Sequence, residues 1–145
     1  MFERLLVPLD FSPRSVHALH TARLHFPGAR RLLLHVPGPE RMHAPSALDL
    51  LESGTLVADE ADQARLRLKQ LAIEGEETQV ATGLTAETIL DAAQTWGADL
   101  IVMGTQGRQG FTRLVLGSVA DAVVRGADIP VMTVRERREA PEQIP

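Results

Sequence analysis

Short apolar runs alternate with longer segments of helical periodicity along almost the whole chain. Five apolar runs predict β-strands, and the four segments between them predict α-helices. An order in which strand and helix alternate favours right-handed crossovers and parallel strand pairing. We therefore expect a single α/β domain of Rossmann-like type, with one open, mostly parallel five-stranded sheet that carries helices on both faces.

The strand predictions rest on apolar runs that do not alternate with polar residues, because a parallel strand is buried on both faces. The run from Leu100 to Met103 is the clearest, whereas the run around Val80 is short and polar. The five predicted strands cover residues 5–9, 32–36, 77–82, 100–103 and 130–134.

Capping and turn residues mark the ends of the predicted helices. Ser12 and Pro13 are typical of an N-cap followed by the first helical position, and Thr85 is expected to cap the third helix. Gly97 stands where a left-handed C-terminal cap is expected. The charged side of the second helix, which includes Arg67, is expected to face solvent. The four predicted helices cover residues 14–26, 47–72, 85–96 and 114–125.

Open parallel sheets bind ligands beside the carboxyl ends of their strands, at the point where the strand order reverses. The loops that follow the first, second and fourth predicted strands are therefore the expected site. These loops cover residues 10–12, 36–38 and 104–110.

The composition excludes several classes of function. The 145 residues contain no cysteine, which excludes disulfides, thiolate zinc sites and cysteine nucleophiles. A net charge of −4 argues against nucleic-acid binding, and no apolar stretch approaches the length of a membrane span. The N-terminal residues lack the layout of a signal peptide, so we expect a cytoplasmic protein with neither nucleic-acid nor membrane partners.

The glycine-rich segment after the fourth strand does not match two well-known phosphate loops. Lys69 is the sole lysine among 15 basic residues, which excludes a Walker A loop, and the spacing of the glycines excludes the dinucleotide fingerprint. Backbone N–H groups can still approach phosphate where glycine lacks a Cβ atom. If Gly117 and Ser118 open a helix, its unpaired N–H groups would suit an anion. Glycines that only form a tight turn are the alternative.

The spacing as a whole is more specific. The pattern Gly104-x2-Gly107-x9-Gly117-Ser118 resembles the nucleotide-binding pattern of the universal stress protein family. Segments in the right order resemble the family's opening strand, fourth strand, last helix and closing strand, and they cover residues 6–12, 98–105, 116–120 and 130–134.

This resemblance implies a universal stress protein domain over residues 1–135, a polar tail over residues 136–145, and ATP as the ligand, with Mg2+ on its phosphates. Val36 and Met103 would bound the base, and Asp10 would accept from a ribose hydroxyl or bind Mg2+ through water. Capping of the first helix is the alternative role for Asp10, and Arg108 is a candidate phosphate contact. The implied nucleotide-binding residues are Pro8, Asp10, Val36, Met103, Gly104, Gly107, Gly117, Ser118 and Val119.

The chain departs from the family pattern at two positions of the loop. Gln106 stands where many members have histidine, and Ala120 replaces a hydroxyl residue found in some members. Neither change blocks recognition through the backbone. The resemblance also implies a homodimer joined through the last strand, from Pro130 to Val134. The alternative is that the tail covers this sheet edge.

No arrangement of Ser, His and Asp predicts a catalytic centre. His35 lies near the expected site, but a lone histidine at the end of a strand is expected to pack rather than react. We therefore predict an ATP-binding regulatory or stress-response protein, with at most weak ATP hydrolysis. The alternatives are a nucleotide-independent dimeric scaffold and a slow ATPase.

Overall fold

The computed structural model describes residues 1–37, 60–105 and 116–136. Within these ranges the strands are β1 (Arg4–Pro8), β2 (Arg30–His35), β3 (Glu77–Val80), β4 (Leu100–Gly104) and β5 (Val131–Val134). The helices are α1 (Pro13–His25), α2, whose described part covers residues 60–71, α3 (Thr85–Trp96) and α4 (Ser118–Gly126).

All the strand pairs are parallel, in the order β3-β2-β1-β4-β5. β1 lies at the centre, where Leu6 pairs with Leu32 on one side and with Ile101 on the other. The strand order reverses between β1 and β4, so the connections that leave these strands go to opposite faces of the sheet. The expected open, parallel α/β sheet is therefore confirmed.

Each face of the sheet carries its own apolar core. Leu19 of α1 and Leu68 of α2 are buried on one face. Ile89 of α3 and Val123 of α4 are buried on the other. Because both faces are covered, the central strands are apolar at successive residues, which is why unbroken runs predict them well.

Local chemistry explains where α1 and α3 begin and end, although the predicted cap of α3 is wrong. Ser12 caps α1, since its hydroxyl accepts a hydrogen bond from the Ser15 N–H at 3.2 Å, and Pro13 is the first helical residue. Gly97 ends α3 in the left-handed region at a φ of 78°. The prediction for Thr85 is wrong: Leu84 is the N-cap of α3, with no side-chain hydrogen bond.

A buried ion pair network ties the fold together at the amino ends of the strands. The Glu76 carboxylate accepts from Arg23 of α1 at 2.7 Å and from Arg31 of β2 at 2.6 Å, and its side chain is only 1% exposed. Arg31 also donates to the carbonyls of Phe26 and Ala29. The network therefore joins α1, β2 and the turn before β3.

No helix in the described ranges is long and apolar enough to cross a membrane. The tail predicted over residues 136–145 lies outside the described residues beyond Glu136.

Candidate functional site

A cleft with a volume of about 660 Å3 opens at the carboxyl ends of β1, β2 and β4, on the side where ligands were expected. Every predicted site residue that lies within the described ranges lines this cleft. They are Pro8, Asp10, Val36, Met103, Gly104, Gly117, Ser118 and Val119. Gly107 and Arg108, the other two predicted residues, lie outside the described residues.

One wall of the cleft is apolar. Val36 follows β2 and is 8% exposed, and Met103 near the end of β4 is 6% exposed. Both belong to the apolar core that α3 and α4 cover, together with Ile89, which also lines the cleft. A rigid core therefore holds these side chains in place, and they offer a surface suited to a flat, apolar face of a ligand.

Asp10 supplies a carboxylate directly after β1. Its Oδ1 accepts a hydrogen bond from the Ser12 N–H at 2.9 Å. Burial alone would raise the pKa of Asp10. Hydrogen bonds from Ser12 and Ser15 and the charge of Arg14 lower the pKa by more than burial raises it, so the net pKa lies below its usual value. Asp10 is therefore an anion at neutral pH. Ser12, not Asp10, is the N-cap of α1, but the Asp10 carboxylate binds the N–H of that cap residue, so Asp10 still contributes to the start of the helix.

An aromatic stack that the sequence analysis missed stands beside Asp10. Phe11 adopts a φ of 64°, a left-handed conformation that is strained for a bulky residue. The centroid of its ring lies 4.6 Å from that of the His35 ring. The guanidinium of Arg67, which is on α2, lies 4.1 Å from the centroid of the Phe11 ring. Arg67 therefore does more than face solvent, because it contacts Phe11 and lines the cleft.

His35 fixes this stack to the sheet. Its Nδ1 lies 2.7 Å from the carbonyl oxygen of Leu9, which can only accept, so Nδ1 carries a proton. The Leu9 N–H in turn donates to the Leu34 carbonyl at 2.7 Å. His35 thus packs and positions the loop after β1, in line with the expectation that it packs.

The opposite side of the cleft is the amino end of α4. Gly117 is its N-cap, and no side chain caps the helix. Ser118, Val119 and Ala120 form its first turn and line the cleft. The first N–H groups of a helix have no partner within the helix, and they carry its positive dipole end. The arrangement can therefore attract an anion.

The start of α4 corrects the helix predicted over residues 114–125. Leu116 and Gly117 are not helical, and the helix begins at Ser118. Residues 114 and 115 lie outside the described residues. The correction matters for the site because it puts the uncapped end of the helix at the Gly117-Ser118 pair.

Gly104 has a structural role that the sequence did not indicate. A Cβ atom at this position would lie 2.6 Å from the carbonyl oxygen of Arg14, on the first turn of α1. Glycine at the end of β4 therefore allows α1 to pack against the strand. Closeness to a ligand is not needed to explain it.

Among the residues that the structure describes, no group of three or more His, Asp or Glu side chains could hold a metal ion. Asp10 and Glu60 are the carboxylates that line the described part of the cleft. The arrangement thus offers an apolar wall, an anionic carboxylate and a helix amino end, which together fit a ligand with a flat apolar part, hydroxyl groups and negative charge.

Comparison with known proteins identifies the family. The family model described as "Universal stress protein family" matches residues 1–135. The chain belongs to the universal stress protein family. A universal stress protein of Thermus aquaticus is 34% identical over 93% of this chain and all of its own length. Universal stress protein MJ0531 of Methanocaldococcus jannaschii is 29% identical over 96% of this chain and 85% of its own.

Solved structures share the fold of this universal stress protein. Protein MJ0577 of Methanocaldococcus jannaschii has a TM-score of 0.76 at 24% identity, over 97% of this chain and 99% of its own. A universal stress protein in complex with cAMP has a TM-score of 0.61 at 20% identity, over 92% and 97%. A family member from Arabidopsis thaliana with AMP bound has the same score and identity, over 97% of both chains.

Proposed function

We propose that this universal stress protein binds an adenine nucleotide in the cleft at the carboxyl ends of its strands, and acts in the cytoplasm as a small regulatory protein of the stress response. One observation carries the proposal: a buried apolar wall and an uncapped helix amino end line the same cleft. A nucleotide needs both, because its base is flat and apolar and its phosphates are anionic.

The base and the ribose belong on the side of the cleft formed by β1, β2 and β4. Val36 and Met103 would bound the base, and the Pro8 ring would pack beside it. The Asp10 carboxylate, which is ionised at neutral pH, would accept from a ribose hydroxyl. The adenine nucleotides named for two proteins of the same fold, AMP and cAMP, support this part of the proposal.

The phosphates belong at the amino end of α4. The N–H groups of Ser118 and Val119 and the Ser118 hydroxyl would donate to phosphate oxygens, and Gly104, Gly107 and Gly117 would let the backbone come close. ATP is the nucleotide we propose. Mg2+ bound to its phosphates would neutralise part of their charge, and a water-mediated contact with this Mg2+ is the alternative to the ribose contact for Asp10.

Stabilisation by ligand tests the proposal. ATP with Mg2+ at 100 times its Kd should stabilise the folded protein by about 3 kcal/mol, which raises the melting temperature by several degrees. Gly117→Val should abolish the shift, because a branched side chain at the N-cap blocks the approach to the helix amino end. Differential scanning fluorimetry and calorimetric titration measure both effects.

Gly28→Val is the matched control for this experiment. A Cβ atom at Gly28 would meet nothing within 4 Å, and the residue lies in the turn before β2, at the other end of the sheet. This variant should bind ATP like the unmodified protein. If the unmodified protein shows no shift with ATP, ADP, AMP or cAMP, the proposal is wrong and the nucleotide-independent scaffold is the better reading.

We also propose that the protein is a homodimer joined through β5. β5 is an edge strand of the described sheet, so one side of its backbone has no partner strand among the described residues. Val131 and Met132 are half-buried on a strand that is otherwise open at this side. An apolar edge with unpaired N–H and C=O groups favours pairing with a second copy.

A further inference from the structure

Arg14 has no place in the proposed nucleotide contacts, yet it is half-buried and lines the cleft. It is the second residue of α1, after Pro13. Its guanidinium has five N–H donors, and none of them makes a hydrogen bond or an ion pair with the described residues. Its nitrogen atoms are not among the buried unpartnered ones, so they are open to solvent in the cleft, where an anionic ligand could reach them.

The stability of α1 does not explain an arginine at this position. The amino end of a helix is the positive end of its dipole, so a cation there is unfavourable. The first turn of α1 contains no acidic residue that would offset the charge. Asp10 lies close enough for the charge of Arg14 to contribute to lowering the pKa of its carboxyl, but the two groups form no ion pair.

The other described cation of the cleft is already engaged. The Arg67 guanidinium stacks on Phe11 at 4.1 Å. Among the described residues that line the cleft, Arg14 is therefore the arginine whose donors are unused.

The backbone of Arg14 is held against the strand that leads to the phosphate loop. Its carbonyl oxygen lies so close to Gly104 that a Cβ atom there would approach it to 2.6 Å. Gly104 is the last residue of β4, from which the chain continues toward α4. The packing thus fixes the root of the Arg14 side chain at the end of β4, in the same cleft that Gly117 and Ser118 line.

We infer that Arg14 donates to the phosphate oxygens of the bound nucleotide, so that the site selects nucleotides by phosphate charge. This inference rests on the proposed function and adds a specificity residue to it. A planar guanidinium can bind two phosphate oxygens through a fixed pair of parallel N–H donors, whereas a lysine ammonium acts as a point charge. The site should accordingly favour ATP over AMP, and AMP over adenosine.

The test compares the binding of ATP, AMP and adenosine to variants of the full chain by calorimetric titration at fixed ionic strength. Arg14→Gln should weaken ATP binding by about 10-fold or more, as expected when a charged hydrogen bond is lost. It should change adenosine binding by less than about 2-fold, within the error of such differences. The ATP affinity of Arg14→Lys should lie between that of the unmodified protein and that of Arg14→Gln, because the charge stays and the paired donors are lost.

Arg65→Gln is the matched control. It also removes one positive charge, but Arg65 is exposed, pairs with Asp62 and does not line the cleft. It should leave all three affinities unchanged. Melting temperatures of the variants without ligand establish that each is folded.

The outcomes separate this inference from the proposed function. If the unmodified protein binds none of the three ligands, the proposed function fails and the inference fails with it. If it binds them but Arg14→Gln weakens ATP and adenosine equally, or weakens neither, only the role of Arg14 is overturned. A loss for ATP that Arg65→Gln reproduces would also overturn it, because net charge would then account for the effect.

Discussion

Gly104 shows how one residue can satisfy two demands that a sequence pattern does not separate. The glycine spacing suggested that it makes room for a ligand. The structure adds a reason within the protein, because the carbonyl oxygen of Arg14 occupies the space that a side chain would need. A glycine at this position is required by helix packing whether or not a nucleotide binds.

We therefore predict that Gly104→Ala destabilises the protein without ligand. The new methyl group would come within 2.6 Å of a backbone oxygen, so α1 must shift away from β4, at a cost of about 1–3 kcal/mol. Urea denaturation measures the loss. Gly28→Ala, where the added Cβ atom meets nothing within 4 Å, should change stability little. Equal effects of the two variants would contradict the packing role.

Phe11 marks the limit of prediction at the residue scale. Nothing in the sequence around it indicates a left-handed aromatic residue, since that region favours Gly, Asn and Asp. Its conformation depends on His35 from β2 and Arg67 from α2, which lie far away along the chain. Local patterns report on local contacts, and so they could not predict this wall of the cleft.

Glu76 acts at the scale of elements, because its carboxylate holds α1 and β2 to the turn before β3. Burial would raise its pKa, but hydrogen bonds from Arg23, the Ile73 N–H and Arg31 outweigh this and lower the pKa from 4.5 to about 2. The ionised form is therefore favoured in the folded state. Its contribution to stability is complete above pH 4.5 and is lost as the pH falls through about 2.

Glu76→Gln should lower the free energy of unfolding at pH 7 by about 3 kcal/mol, because the buried Arg31 and the half-buried Arg23 lose their shared anion. The difference from the unmodified protein should shrink as the pH falls below 4.5. Denaturation in urea between pH 7 and pH 3 measures this dependence. Glu74→Gln, two residues earlier on an exposed position, serves as the control. A constant difference across the pH range would show that the charge of Glu76 is not responsible.

The sequence predicted the elements of the sheet better than their ends. Apolar runs predict β1, β2 and β4 because these strands are buried on both faces. β2 begins at Arg30, before its apolar run, because Arg31 is buried through its ion pair with Glu76, a long-range contact. Similarly, Leu114 fits the helical spacing of α4, yet the helix begins at Ser118. Periodicity shows which residues share a helix face, but it does not fix where the helix starts.

At the scale of the whole molecule, the proposed dimer can be tested through the backbone of β5. The carbonyls of Pro130 and Val134 accept from Ile101 of β4 and from Thr105, which follows β4, so both residues direct their polar backbone groups inward. Successive residues of a strand direct their backbone N–H and C=O groups to opposite edges, so Thr133 directs its N–H to the open edge. Thr133→Pro should therefore remove a hydrogen bond between copies without breaking one inside the sheet.

Light scattering at micromolar concentration should report twice the chain mass of 15.8 kDa for the unmodified protein and a shift toward one chain for Thr133→Pro. Thr133→Ala keeps the N–H and should remain dimeric. A monomeric mass for the unmodified protein would refute the dimer, and a dimer unaffected by proline would place the interface elsewhere.

The central position of β1 has a consequence for how the protein is made. β1 precedes β4, one of its two neighbours in the sheet, by about 95 residues, since the Arg4 N–H donates to the Asp99 carboxylate just before β4. The cleft itself draws residues from Pro8 to Ala120. Until β4 and the start of α4 have been synthesised, the cleft is incomplete. The proposed nucleotide would therefore stabilise the completed fold, and it would not act as a template for the early steps of folding.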